Sequence, residues 1–117
     1  MPLRITPDVI RNAYEYLRST RPFNSWKLPH ADKIQIRTVL AHDKLGEWRF
    51  DNKHHCISIN DKYISTSFSL LTTLAHEMIH MAQYVLKTET SNSEHNKDFF
   101  KKVKTVARHH GFDSKWF

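Results

Sequence analysis

The fold of this chain is decided by residues 68–80, which read FSLLTTLAHEMIH. Because no glycine or proline occurs from residue 65 to residue 87, this region predicts one helix of about residues 66–87. Its apolar residues follow a 3-4-3-4-3 spacing, which forms one stripe along a helix: Phe68, Leu71, Ala75, Met78, Ala82 and Val85. Its polar residues follow the same spacing on the opposite side: Ser69, Thr73, His76, His80, Gln83 and Lys87. We therefore expect one side to face a core and the two histidines to lie on a polar strip.

The same helix contains the motif H-E-x-x-H, spelled His76-Glu77-Met78-Ile79-His80. Residues four apart on a helix lie about 40° apart around its axis, so the two imidazoles can bind one divalent ion. Zinc is the leading candidate, because neutral imidazole nitrogen is one of its preferred ligands. Glu77 is rotated about 100° from His76, so its carboxylate can miss the ion and act as general base on a bound water. The alternative is a solvated polar face with two histidines that bind no metal.

A catalytic zinc site typically has three protein ligands, so a third ligand is expected elsewhere in the chain. His95 is the best candidate, because it follows His80 by fifteen residues and lies at a predicted loop-to-helix junction. The other histidines remain rivals at this stage: His30, His42, His54, His55, His109 and His110. The pairs at 54–55 and 109–110 lie in a predicted turn and at a predicted helix end, where solvent exposure is expected.

The first half of the chain predicts a helix followed by a small sheet. Thr6-Pro7-Asp8 has the residue types of a helix start, and the helix should end near residues 18–20. Residues 21–33 are predicted to form a connecting loop in which Trp26 covers the core. Strands are predicted at 34–40, 47–50 and 56–60, with turns at 43–46 and 51–53. Their close spacing predicts an antiparallel meander.

The last part of the chain predicts a polar loop at 88–94 and a final helix. Ser91 or Asn96 can cap this helix, and Gly111 is its expected end. Its buried side is predicted to consist of Phe99, Phe100, Val103, Val106 and Ala107. Its outer face carries Lys97, Lys101, Lys104 and Arg108. This basic face is either a solvated helix surface or a contact for DNA.

Composition indicates one folded domain over residues 1–117. The chain is 39% hydrophobic and carries a formal net charge of +6, which favours a polyanionic partner. Cys56 is the single cysteine, so neither an internal disulfide nor a cysteine-based zinc site is expected. No apolar run approaches the roughly 18–20 residues that span a bilayer, and residues 1–6 lack the apolar region of a signal peptide. These features predict an intracellular protein without a membrane partner, nuclear if the source is eukaryotic.

The motif and its spacing resemble the SprT-like metalloprotease domain, whose family includes Spartan, a protease that removes proteins crosslinked to DNA. The resemblance rests on H-E-M-I-H, the fifteen-residue step to His95, and His95-x-x-x-Phe99. It implies an α+β, zincin-like minimal metalloprotease core. That core has an N-terminal helix, a small three-stranded antiparallel or mixed sheet, the H-E-x-x-H helix and a C-terminal helix with the third ligand. It also implies zinc held by His76, His80 and His95, with Glu77 as the catalytic acid/base.

Two departures from the family pattern bear on these expectations. The family usually has His-Gly-Pro before the phenylalanine, whereas this chain has His95-Asn96-Lys97. Because asparagine tolerates positive φ, we expect Asn96 to preserve the glycine turn. Many relatives carry a C-terminal cysteine zinc ribbon or DNA-binding tail. Residues up to Phe117 include neither, which argues against DNA-dependent targeting.

The sequence therefore predicts a monomeric zinc-dependent metalloprotease that hydrolyses peptide bonds, with a protein or peptide substrate that is DNA-associated or DNA-crosslinked. The alternative is a basic DNA-binding module with a structural zinc site and no protease activity. An inactive relative used for protein interaction is a third interpretation, and intact His76, Glu77 and His80 argue against it. An exposed strand can align the substrate, with 47–50 and 56–60 as equal candidates. Tyr63 and Tyr84 are candidate oxyanion donors.

Overall fold

The computed structural model describes residues 4–39, 44–62, 64, 66–88 and 95–113. Within these residues the chain forms an α+β fold of three α-helices and a three-stranded sheet. Two short 3-10 turns connect the first helix to the sheet, where a plain loop was predicted. The elements in chain order are α1 (Pro7–Arg18), β1 (Ile34–Val39), β2 (Gly46–Asp51), β3 (His54–Asn60), α2 (Ser67–Leu86) and α3 (Lys97–His110). The predicted helices and strands are confirmed. Leu40, Asp43, Ser91 and Trp116 lie outside the described residues.

The helix ends follow the local chemistry of the sequence. The Thr6 hydroxyl accepts a hydrogen bond from the backbone N–H of Val9 and caps α1. Gly111 ends α3 with a left-handed φ of 73°, as predicted. Asn96 caps α3 through its side-chain oxygen, which accepts the N–H of Phe99 at 2.9 Å. The predicted positive φ at Asn96 is wrong, because an N-cap residue has extended backbone and Asn96 has φ −80° and ψ −177°.

The sheet has the strand order β1-β3-β2 and is mixed. The β2–β3 hairpin is antiparallel, and its two turn residues, Asn52 and Lys53, both have positive φ. The predicted meander is wrong, because β1 pairs with β3 in parallel and β3 is the central strand. The physical reason is burial: β3 supplies Ile57 and Ile59, which are fully buried, whereas β2 carries charged residues and suits an edge.

A single buried side chain, Asn60, fixes the segment that leads into β2. Its backbone N–H donates to the carbonyl of Leu45 at 2.9 Å, and its side-chain amide donates to the carbonyl of Lys44 at 2.8 Å. Its side-chain oxygen accepts the N–H of Lys62 at 3.0 Å. The start of β2 is therefore tied to the end of the central strand.

Helix α2 lies at the centre of the fold and packs against α1, α3, β2 and β3. Its predicted stripe is buried at Ala75, Met78 and Ala82, but Phe68 is 51% exposed. Phe68 lies near the end of α3, where its ring meets Phe112 edge to face. The predicted polar strip on the side opposite the core is not solvated throughout, because Gln83 is 1% exposed.

The last helix departs from prediction at one residue of its buried side. Phe99 is buried, whereas Phe100 is 56% exposed. Adjacent helical residues are rotated by about 100°, so α3 can turn only one of these two rings toward α2.

Trp26 packs against the core, as predicted, and its ring meets that of the buried Phe23 edge to face.

Candidate metal centre

Three histidines converge beside the centre of α2. His76 and His80 lie one turn apart on α2, and their ring centroids are 5.0 Å apart. The ring of His95, just before α3, lies 5.3 Å from that of His76 and 5.2 Å from that of His80. One nitrogen from each ring lies within 4.8 Å of the other two. No second group of three potential metal ligands forms within the described part of the chain.

The rival histidines that the structure describes have other surroundings. The ring nitrogen of His30 lies 2.8 Å from the Arg18 guanidinium, and His110 lies 2.9 Å from the Thr20 hydroxyl. His54 and His109 are exposed, as predicted, but His55 and His110 are half-buried. That part of the prediction is wrong because both rings pack against aromatic side chains. His42 lies outside the described residues.

A partly buried polar network between the end of α2 and the start of α3 holds the segment that carries His95. The side-chain amide of Gln83 donates to Oδ1 of Asn96 at 2.8 Å and to Oδ2 of Asp98 at 3.0 Å. The Thr88 hydroxyl donates to the same Asp98 oxygen at 2.7 Å, and the Asn96 amide donates to the Thr88 carbonyl at 3.1 Å. Asn96 directly follows His95, so this network holds the backbone that carries the third ring.

Asp98 is the charged centre of this network. The Lys102 ammonium lies 2.8 Å from both carboxylate oxygens. Burial acts to raise the pKa of Asp98, but hydrogen bonds from Lys102, Thr88 and Gln83 outweigh it and lower that pKa overall. Asp98 is therefore ionised at neutral pH, and its charge is balanced within the network.

Phe99 forms an apolar floor beneath the three imidazoles. Its ring centroid lies 5.1 Å from His76, 4.8 Å from His80 and 4.5 Å from His95. Because Phe99 is only 2% exposed, it keeps water away from one side of the cluster. This contact explains why a phenylalanine stands four residues after the third histidine.

The donor set fits zinc. Burial, and secondarily the electrostatic interaction with His95, lower the pKa of His80 to about 4, so its ring is neutral at physiological pH. Zinc held by imidazole nitrogens at about 2.0–2.1 Å places those nitrogens roughly 3.3 Å apart in tetrahedral geometry. The nitrogens of the three rings lie within 4.8 Å of one another, so they would have to approach by about 1.5 Å at most to reach that spacing. His95 is exposed, so one side of the cluster faces solvent.

Glu77 lies next to this cluster and opens onto a cleft. The cleft has a volume of about 230 Å³ and is lined by residues 44–46, Thr72, Thr73, His76 and Glu77. Glu77 is 7% exposed, so its carboxylate is largely shielded from bulk water. Glu77 and His76 therefore border one small space between α2 and the start of β2.

The close approach of β2 to α2 depends on Gly46. A Cβ atom at this position would lie 2.9 Å from Cγ2 of Thr73 and 3.2 Å from the backbone oxygen of Ser58. Real Cβ atoms essentially never come as close as the first of these contacts. The absence of a side chain thus lets β2 lie directly along α2, beside Glu77.

Comparison with known families agrees with this geometry. The SprT-like family model matches residues 13–115, which is most of the chain. The chain belongs to the SprT-like family. This membership is consistent with a metalloprotease-type domain, and the family is generally associated with zinc. No curated protein matches the sequence. None of the described helices of this SprT-like domain is long and apolar enough to cross a membrane.

Sequence reasoning missed the Gln83 network and an aromatic cluster beside the site. Gln83 lies on the polar strip three residues after His80, and that placement was the available signal. The ring of Tyr84, a candidate oxyanion donor, packs against Trp48 and Phe50. Tyr63 lies outside the described residues, and both tyrosines remain candidates only.

Proposed function

We propose that this chain is a zinc-dependent metallopeptidase that hydrolyses peptide bonds in extended polypeptide. The observation that carries the proposal is the convergence of three imidazoles beside a shielded glutamate at an open cleft. His76, His80 and His95 would hold the ion. Bound zinc would supply a Lewis acid for the peptide carbonyl and lower the pKa of a water ligand toward about 7.

Glu77 would move the proton in this reaction. Its carboxylate accepts a proton from the attacking water as general base and then transfers it to the departing amine as general acid. The shielding of Glu77 supports this role, because few bulk water molecules compete for its oxygens. Phe99 would keep the imidazole rings in place during the reaction through its contacts with all three.

The outer edge of β2 is the best place for an extended substrate. The central strand β3 pairs on both sides, so the predicted alternative of an exposed strand at 56–60 is wrong. The hydrogen bond from Asn60 to Leu45 fixes which β2 groups face β3. By alternation along the ladder, the backbone groups of Gly46, Trp48 and Phe50 point away from β3. A peptide can add to these groups as a further strand.

The test compares the zinc-loaded wild type with Glu77→Gln on an unfolded protein substrate. Glu77→Gln should still bind about one zinc ion but lose roughly 10²–10⁴-fold in cleavage rate, the usual contribution of a general base. Glu15→Gln is the matched control, because Glu15 lies on α1 and pairs with Arg18 away from the site. Cleavage by Glu77→Gln at the wild-type rate, with zinc bound, would remove Glu77 from its role.

A second proposal concerns DNA as a partner, which would bring the peptidase to DNA-associated or DNA-crosslinked proteins. The supporting observation is that Lys97, Lys101, Lys104 and Arg108 are all exposed along α3. Retention on duplex DNA should weaken steeply as the salt concentration rises. Alanine at all four positions should reduce the slope of log K against log salt concentration by about 0.9 for each phosphate contact that is lost. If retention on DNA did not depend on salt and the four alanine substitutions left it unchanged, this face would be a solvated surface. The alternative of a DNA-binding module with a structural zinc predicts the same retention without peptide cleavage.

A further inference from the structure

An aromatic cluster lies beside the histidines on the flank of α2. We define it as Trp48 and Phe50 of β2, His55 of β3 and Tyr84 of α2. The Phe50 and Tyr84 rings stack with centroids 4.8 Å apart, and Trp48 lies 5.5 Å from Tyr84. His55 lies 5.0 Å from Phe50 and 5.6 Å from Tyr84. The cluster therefore joins the edge strand to the helix that carries the H-E-x-x-H motif.

Part of this cluster faces solvent. Phe50 is 41% exposed and Tyr84 is 37% exposed. Tyr84 lies one helical turn beyond His80, so the exposed rings border the proposed catalytic centre. Large apolar rings that remain exposed next to a binding cleft commonly mark a contact for a ligand or partner.

We propose that the aromatic cluster is a subsite for one large apolar or aromatic side chain of the substrate, on the N-terminal side of the cleaved bond. This inference rests on the proposed peptidase function and adds a substrate preference to it. Trp48 and Phe50 supply both the outward-facing backbone groups of β2 and rings of the cluster. A peptide strand paired with β2 would therefore bring alternate side chains directly over those rings.

The direction follows from the course of β2 along α2. Gly46 lies against Thr73, and Phe50 lies against Tyr84, so the strand and helix run side by side past Glu77. Antiparallel pairing is the more stable of the two arrangements, and it places the substrate's N-terminal part at the Phe50 end. The residues after the cleaved bond would then lie over the cleft at residues 44–46.

The cluster is uncharged, which favours an apolar occupant. The indole N–H of Trp48 lies 3.0 Å from Nδ1 of His55, and since indole can only donate, that nitrogen is unprotonated. Burial also lowers the pKa of His55, so the ring is neutral at physiological pH. A lysine or aspartate side chain placed here would lose hydration, and a cation–π contact or a single N–H or O–H donor at the ring edges would offset only part of that loss.

The experiment uses the zinc-saturated protein and two peptide sets, one varied only at the residue before the cleaved bond, where the preference is expected, and the other only at the residue after it. We expect phenylalanine or leucine to exceed lysine or aspartate by about tenfold in kcat/KM, the lower end of the discrimination by an apolar pocket. The same peptides are titrated calorimetrically into Glu77→Gln, where the ratio of Kd values should favour the apolar peptides. This binding measurement reports on the subsite without requiring turnover.

Variants assign the preference to the cluster. Phe50→Ser should abolish the preference, and Phe50→Leu should restore part of it. Tyr84→Ser is an independent second variant, and Phe68→Ser is the matched control because Phe68 is 51% exposed and contacts Phe112 instead. Three outcomes would overturn this inference alone. They are cleavage without preference, a preference that both serine variants retain, and a preference confined to the residue after the cleaved bond. Failure of the zinc-loaded wild type to cleave any peptide would overturn the proposed function and this inference with it.

Discussion

Gln83 and Asn96 are joined by a hydrogen bond of 2.8 Å between Nε2 and Oδ1, and this contact crosses from α2 to the segment that carries the third histidine. Gln83 is 1% exposed, so the bond is shielded from water. His76 and His80 are fixed to each other by their shared helix, whereas His95 depends on contacts between helices. The geometry of the proposed zinc site therefore depends on the buried side-chain amide of Gln83, which bonds to the residue next to His95.

Replacement of Gln83 tests this dependence. Gln83→Ala removes hydrogen bonds to both Asn96 and Asp98, so we expect a loss of about 1–3 kcal/mol in the free energy of unfolding. Zinc affinity should also fall by roughly tenfold, the lower end of the effect of outer-shell changes. Urea unfolding of the zinc-free protein and zinc titration against a chelator measure the two effects separately.

Gln35→Ala is the matched control for this variant. Gln35 is exposed on β1, where its side chain accepts a hydrogen bond from Arg37. Its replacement should change the free energy of unfolding by no more than about 0.5 kcal/mol and leave zinc affinity unchanged. If Gln83→Ala behaved like Gln35→Ala in both measurements, the network would not position His95.

The lowered pKa of Asp98 predicts how acid changes the stability of the junction between α2 and α3. Its pKa is lowered in the folded protein, so its stabilising contribution is complete above the unfolded carboxyl pKa of about 4. That contribution is lost as the pH falls through the lower folded pKa. We expect wild type to lose more stability than Asp98→Asn between pH 6 and pH 3, measured by urea unfolding at each pH.

A surface carboxylate provides the comparison. Asp8 pairs with Arg11 on α1, but its side chain is 90% exposed. Asp8→Asn should retain nearly the full acid sensitivity of the wild type, because a surface ion pair contributes little. Equal acid sensitivity in Asp98→Asn and wild type would show that the Asp98 carboxylate does not stabilise this junction.

Local patterns in the sequence were sufficient to predict the helices and the placement of His76 and His80 on one helix face. The spacing of His76 and His80 fixes their geometry once the segment is helical, and helix formation here depends on residues close in sequence. The Asn52–Lys53 hairpin was also predictable, since it links adjacent strands. His95 could be ranked first among the histidines because it lies next to the start of α3.

Features that depend on distant segments could not be read from the sequence. The parallel pairing of β1 with β3 is decided by which strand can bury most apolar surface, and that depends on α2. The burial of Gln83 depends on how α3 packs against α2, and so does the choice of Phe99 over Phe100 as the buried ring. Periodicity identifies a helix face but does not identify the residues that will cover it.

Gly46 predicts a specific steric coupling between β2 and α2. Gly46→Ala would place a methyl group against Cγ2 of Thr73, so we expect a loss of about 1–3 kcal/mol in the free energy of unfolding. Thr73→Ser removes that methyl group, and the double variant should recover about 1 kcal/mol of the loss. Recovery should be partial, because the backbone oxygen of Ser58 remains close. A double-mutant cycle by urea unfolding measures the coupling, and strictly additive losses would contradict the proposed contact.

His95 gives the sharpest separation between a ligand and a structural residue. His95 is exposed, so His95→Ala should change the free energy of unfolding of the zinc-free protein by no more than about 0.5 kcal/mol. Zinc affinity should nevertheless fall by more than the roughly 10–100-fold typical of outer-shell changes, because a direct ligand is lost. His54→Ala is the matched control, since His54 is also exposed but lies on the sheet, and it should retain about one zinc ion per chain. Full zinc affinity in His95→Ala would exclude His95 as a ligand, and two imidazoles on α2 would then need a different third donor to form a catalytic site.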